Sequence, residues 1–249
     1  MGNSPLDHPE LPWYYSNERM NEPKHKRPAQ GSEATRERLL EAAEALFADN
    51  GYNAVSMRDI ARHAKVNLAA AGYHFGSKEN LFTESLMRQM RPLNERRLAK
   101  LAELEARKRP PTLTEVLDTF ARVMIEQAVN DQESGRRLHR ALSRIFAESD
   151  EIAHAVFRKE MLPAAMLFLA AIRRACPELP APKAGMGLAL YAGCVIHTLR
   201  WAVSPPFPEL RGDLPLEVDT LMASLVAFGA AGFKRLAAPE KRRPKGRAP

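Results

Sequence analysis

Cysteine is nearly missing from this 249-residue chain. Cys176 and Cys194 are the two present, and they lack paired spacing, which excludes a disulfide framework and a four-cysteine zinc site and fits a reducing cytoplasm. No glycine-rich phosphate loop and no cluster of metal ligands occurs, so no cofactor and no metal are expected. Strand-type alternation and internal repeats are absent, which turns the reading towards an all-α chain. The N-terminus has no basic start followed by an apolar core, and Pro5, Pro9 and Pro12 interrupt it, so no signal peptide is expected. The most apolar stretch, Ala184 to Val203, holds His197, Arg200 and three glycines. That composition predicts a buried helix and no membrane span.

What the chain has in excess is positive charge: 37 Lys and Arg against 30 Asp and Glu, a net +7. An acidic partner such as nucleic acid is the natural inference. The excess is uneven. Residues 32–80 carry six basic and seven acidic groups, residues 81–110 eight and four, and residues 184–249 nine and five. Residues 1–31, rich in proline and polar groups and without periodicity, read as a disordered arm whose Trp13, Tyr14 and Tyr15 could fold back on the body. Residues 238–249 read as a basic disordered tail.

Between these ends the pattern is helical. Leu39, Ala42, Ala43, Leu46 and Phe47 form one apolar face, and Gly51 supplies a left-handed stop. Ser56 with Asp59 matches a capping box, opening a short helix that ends near Ala64. Asn67 caps a second, Leu68 to Phe75, and Gly76 with Ser77 ends it and caps the next. Two short helices joined by a tight turn are a helix-turn-helix signature. The helix from Lys78 keeps its apolar spacing beyond Pro92, which should bend it without ending it. Arg107, Lys108, Arg109, Pro110 and Pro111 mark the break, and Thr112 with Glu115 is a second capping box. Further helices are expected at 136–148, 152–176, 184–203 and 216–237.

The stretch Ser56 to Leu81, SMRDIARHAKVNLAAAGYHFGSKENL, resembles the TetR-type family of bacterial transcriptional regulators, and the preceding TRERLLEAAEALFADNGY is similar to that family's first helix. The segments VNLAAAGYHFGSKENL and RPLNERRLAKL resemble a branch that includes repressors linked to drug sensitivity and a fatty-acid-responsive regulator. The resemblance implies a three-helix helix-turn-helix DNA-binding domain at 32–80. It also implies a helical ligand-binding and dimerisation domain at 81–237, and a homodimer on a palindromic operator in double-stranded DNA. A dimer must hold its reading helices about 34–36 Å apart to enter successive major grooves, so a small hinge at the base of a long helix could abolish binding.

Chemistry assigns the candidate DNA contacts. Ser56 and Ser77 with Lys78 put backbone N–H groups and a cation where phosphate oxygens would be held. Asn67, Leu68, Ala69 and Ala70 open the reading helix, where asparagine can read adenine and small apolar groups can meet a thymine methyl. Arg58 is a further base or phosphate candidate. The resemblance implies that Tyr73 and His74 contact the phosphate backbone. Ser56 and Asn67 also have a plain capping role, Tyr73 could pack, and Lys78 could be a solvated charge. Two positions depart from the family pattern: Lys65 stands where the family usually has glycine, and Gly72 where it usually carries a larger residue.

In the regulatory half, the helices at 184–203 and 216–237 are apolar on most faces and rich in glycine and alanine. They read as the halves of a four-helix dimer interface. Phe120, Met124, Phe146, Met166, Leu169 and Tyr191 are candidate walls of a pocket, and His197 or Arg200 could meet a ligand's carboxylate or phosphate. The effector expected on the branch resemblance is a hydrophobic small molecule of fatty acyl type that releases a repressor from DNA. Two rivals are an enzyme using Cys194 and His197, which lack an orienting acid or oxyanion loop, and a nonspecific nucleic-acid binder using the tail from Lys234, with seven basic groups against Glu240.

Overall fold

The computed structural model describes residues 30–147, 151–204, 209 and 217–238. The expectations for the N-terminal arm and for the tail beyond Ala238 fall outside these residues. Every element among the described residues is helical: α1 Gln30–Ala54, α2 Met57–His63, α3 Leu68–Phe75, α4 Lys78–Glu105, α5 Leu113–Asn130, α6 Gln132–Ala147, α7 Glu151–Ala175, α8 Ala181–Val203 and α9 Val218–Ala237.

Local signals decide most of these boundaries. Gly51, at φ 80° and ψ 173°, interrupts the regular helix where the sequence puts its stop, and Tyr52–Ala54 turn once more before α2. Capping boxes at Ser56–Asp59 and Thr112–Glu115 open α2 and α5. Asn67 and Ser77 cap α3 and α4 by accepting from Ala70 N and Asn80 N. Pro92 and Pro163 lie inside α4 and α7 without ending either helix. Their missing N–H removes one rung of the helix ladder, which the apolar packing on both sides outweighs.

Two starts come earlier than expected. α6 begins at Gln132, ahead of the expected Arg136, because Asp131 Oδ1 accepts from Ser134 N at 3.0 Å and so acts as its cap. α8 begins at Ala181, ahead of Ala184, because Pro182 sits in its first turn, where the missing donor costs nothing.

The turn between α2 and α3 ends α2 with a Schellman motif. Val66 N donates to Ala61 O (3.0 Å) and Lys65 N to Arg62 O (3.2 Å). Lys65 sits in the left-handed slot at φ 55°, the one non-glycine positive φ among the described residues. The geometry is the one glycine would supply, adopted by a residue with a Cβ.

α1, α2 and α3 close on the first turns of α4 around Leu39, Phe47, Ile60, Ala71, Phe75 and Phe82, all buried. Phe82 meets Phe47 and Tyr52 edge-on at 5.1 and 5.0 Å. The larger bundle packs α5 against α4, α6, α7, α8 and α9. Phe168 and Ile172 have no exposed surface, and burial of each side chain contributes about 1.5–3 kcal/mol. α8 is long and apolar enough to cross a membrane, but it packs against α5, α6, α7 and α9 within the bundle.

Candidate nucleic-acid interface and internal cavity

The reading head is built from caps. One side of α3 buries Ala71 and Phe75, while Leu68, Ala69, Gly72 and Tyr73 face outward. Tyr73 is 77% exposed, unusual for an aromatic ring on a short helix whose own core is so small. Asn67 Oδ1 accepts from Ala70 N at 2.7 Å, so the cap engages the atom that a bidentate adenine contact would need. Ser56 Oγ accepts from Asp59 N at 3.2 Å and donates to Asp59 Oδ2 at 2.5 Å. The donation from Ser56 Oγ and then that from the Ser56 N–H, also to Oδ2, hold the Asp59 carboxyl below its usual range. Arg58 is exposed at the same end of α2.

Lys78 is half-buried. Its Nζ donates to Tyr52 O at 3.1 Å and lies 4.1 Å over the Tyr52 ring, which fastens the start of α4 to the end of α1. His74 stands edge-on to Tyr73. Burial and then the Arg36 charge lower its pKa.

Ion pairs couple the head to the bundle. Arg36 pairs with Glu84, and Arg88 pairs with Glu37 and, at 3.5 Å, with Glu44, tying α1 to α4. Arg140 meets Asp49 at 3.0 Å, tying α1 to α6.

Farther along α4, Met90, Asn94 and Arg97 share one face and form a wall of a cavity of about 310 Å³. Phe120 and Met124 from α5, Leu142 from α6, and side chains of α7 and α8 complete it. Of the candidate pocket residues, Phe120, Met124, Met166 and Leu169 line this cavity. Phe146 is on α6, with its side chain outside the described part of the structure.

Three candidates are elsewhere. Tyr191 belongs to the core: its ring packs against Gly229 and its hydroxyl donates to Leu117 O at 3.1 Å. His197 and Arg200 are exposed on the outer face of α8, so neither polar group expected at the cavity is there. Among the described residues the cavity's polar side chains are Asn94 and Arg97 instead. Their signal was present in the sequence: both fall on the apolar face of α4, four and seven residues after Met90.

Near Met186 and Leu190 the outer face of α8, like that of α9 around Phe228, is apolar and exposed among the described residues. Met186, Leu190 and Phe228 are 51%, 61% and 70% exposed. Ala223, Ala227, Ala231 and Gly232 lie exposed beside Phe228 on α9.

A capped helix-turn-helix with an outward second helix, continuous through α4 with a separate helical bundle, defines a DNA-binding transcriptional regulator. Residues 39–84 match the family model for bacterial regulatory proteins of the tetR family, and residues 118–232 match that for the tetracyclin repressor-like C-terminal domain. The chain belongs to the tetR family, whose members are regulators and not enzymes. Its fold is shared by a TetR-family transcriptional regulator from Bordetella parapertussis 12822, at 21% identity and a TM-score of 0.55 over 82% of this chain and 98% of that one. A tetR-family regulator from Shewanella sp. PV-4 is similar at 17% identity and 0.55, over 81% and 97%. So is a transcriptional regulator from Saccharomonospora viridis, solved in complex with choline, at 21% and 0.50 over 79% and 95%. Among curated proteins none matches significantly.

Proposed function

We propose that this regulator is a cytoplasmic repressor that binds a palindromic operator as a homodimer and leaves it when an apolar small molecule fills the α4–α8 cavity. The observation that carries the reading is α4 itself, one continuous helix that begins at the cap following α3 and later forms a cavity wall with Met90, Asn94 and Arg97. At 1.5 Å per residue, Lys78 and Arg97 are about 28 Å apart along it. A ligand that shifts this wall moves the reading head, and the dimer's fixed groove spacing makes a small shift sufficient. The complex of the Saccharomonospora regulator with choline supports a small-molecule response on this fold.

The homodimer is supported by the apolar outer face of α8 and α9. Met186, Leu190 and Phe228 stand among small residues there, and a contiguous patch of that kind on a soluble chain is normally covered. In the dimer the two α3 helices carry the direct reading through Leu68, Ala69 and Ala70. Ser56, Arg58, Tyr73 and His74 serve the phosphate backbone, Asn67 acts as the cap, and Lys78 holds the start of α4 to Tyr52.

The test is selection of a preferred duplex from random DNA, followed by binding of that duplex with and without apolar small molecules. Equal affinity for selected and random duplexes would refute operator recognition and favour the nonspecific reading. Phe228→Arg, which puts a charge on the outer face, should give a monomer by sedimentation and lose operator affinity while its helix content is kept. A dimer that survives Phe228→Arg and Leu190→Asp together would refute the interface.

A further inference from the structure

Six basic side chains lie in residues 32–80, against seven acidic ones, and the fold commits most of them. Arg36 pairs with Glu84, Arg62 pairs with Asp59, Lys78 donates to Tyr52 O, and Arg38 reaches Thr35 on α1. Arg58 and Lys65 remain. Both are exposed, and no ion pair or side-chain hydrogen bond among the described residues engages either. Arg58 belongs to the first turn of α2, and Lys65 stands at the other end of that helix, two residues ahead of the Asn67 cap of α3. The turn fixes Lys65 in place: Ala64 before it is buried, Val66 after it packs on the core, and backbone bonds from both Lys65 N and Val66 N close it. Its φ of 55° lies in the left-handed region, where glycine is at ease and a residue with a Cβ is strained. Strain of this kind persists where the surrounding structure enforces it, and it gathers at sites that use the residue.

We infer that Lys65 is a DNA-contact residue: its ammonium neutralises a backbone phosphate beside the groove that α3 enters, and the contact offsets the strain of its turn. An ammonium on a flexible stem meets a phosphate as a point charge, without a fixed geometry. Such a contact adds affinity and carries no sequence preference. In a head with one more acidic group than basic ones, each exposed cation beside α3 is a large part of the attraction to DNA. The inference uses the DNA-binding role of the head and is independent of the operator's symmetry and of the effector. A rival account gives Lys65 a purely structural role, in which its charge favours the C-terminal end of α2 together with Arg62 and His63. That role acts on folding and leaves the salt dependence of DNA binding unchanged.

Fluorescence anisotropy of the full chain on a selected duplex and on a random duplex of equal length, over a series of salt concentrations, tests it. Lys65→Gln keeps the Cβ and removes the charge, Lys65→Arg keeps the charge, and Lys65→Gly removes both charge and strain. Loss of one phosphate contact per subunit makes the slope of log affinity against log salt shallower by about 0.9, or about 1.8 for a dimer. Extrapolated from 1 M, that is about thirtyfold weaker binding at about 0.15 M salt. Lys65→Gln and Lys65→Gly should both show this loss, equally on the two duplexes, and Lys65→Arg should keep the original slope. The loss in Lys65→Gly is then not a loss of folding, because that variant unfolds no more readily than the unaltered chain. A slope unchanged in Lys65→Gln would overturn the inference, and with a lowered unfolding midpoint it would assign Lys65 to the end of α2. A loss confined to the selected duplex, or a Lys65→Arg slope as shallow as that of Lys65→Gln, would overturn it as well. If the unaltered chain prefers no duplex, operator recognition fails, while the slopes on the random duplex still decide the role of Lys65.

Discussion

Replacing Lys65 by glycine should stabilise the protein, although it deletes a side chain with no loss of a buried contact. Lys65 occupies φ 55°, where its Cβ crowds the following carbonyl at a cost of about 1–2 kcal/mol. Glycine removes that cost and keeps both closing bonds of the turn, Val66 N to Ala61 O and Lys65 N to Arg62 O, since both use backbone atoms. Against this stands the greater freedom of glycine in the unfolded chain, about 0.4–1 kcal/mol. The net gain is therefore about 0.5–1 kcal/mol, read as a midpoint shift at constant slope in urea unfolding. Heat adds a second reading, on the order of 2–4 °C per kcal/mol for a chain of this size. Lys65→Ala separates backbone from side chain: it removes the charge and the stem but keeps the Cβ, so it should not gain. If Lys65→Gly were no more stable than the unaltered protein, or Lys65→Ala gained as much, the strain would not lie in the backbone and the reasoning would fail.

Gly72→Ala should also stabilise, by about 1 kcal/mol of helix propensity, because a Cβ there meets no atom within 4 Å. Hydrogen exchange of α3 amides should slow in the variant without DNA, and in the unaltered protein it should slow when operator is added; equal protection with and without operator would argue against a marginal α3. Gly229→Ala should do the opposite, since its Cβ would come 2.5 Å from the Tyr191 ring. That ring is buried with its hydroxyl held by Leu117 O, so overpacking should cost about 1–3 kcal/mol in chemical unfolding. Glu115 provides a pH test. Arg109, then the Thr112 N–H and hydroxyl, hold its carboxyl at about 2 against a usual 4.5. The folded state thus binds the proton less readily than the unfolded chain, and the stability Glu115 contributes is present above about 4.5 and lost as pH falls towards 2. Unfolding midpoints of Glu115→Gln should be flatter than those of the unaltered protein across that window.

What the sequence by itself determined is the chain of local decisions. Ser56 and Asp59, Asn67, Ser77, and Thr112 and Glu115 each state a helix start within four residues of themselves, because a cap is a contact between near neighbours. The positive φ at Lys65 was equally legible once the turn was seen as a place for glycine. α3 was read to its two ends for the same reason. The family followed from that short segment, since its caps and its outward residues are all local.

Where side chains from different helices meet, the sequence reading was weaker. Tyr191, His197 and Arg200 share α8, yet Tyr191 turns to the core and the other two to the outside, a difference set by which faces of α8 meet α5, α6, α7 and α9. Asn94 and Arg97 fall on the apolar face of α4 by spacing, and the approach of Phe120 and Met161 makes them part of a cavity wall. The net charge follows the same division. Its +7 is a property of the sequence, but packing decides that Lys78 is spent on Tyr52 and that Arg97 is turned inward. Periodicity assigns a residue to a helix face, and the neighbour that covers this face comes from far along the chain. Caps and turns were therefore readable in advance, while the cavity and the face left uncovered were fixed by tertiary structure alone.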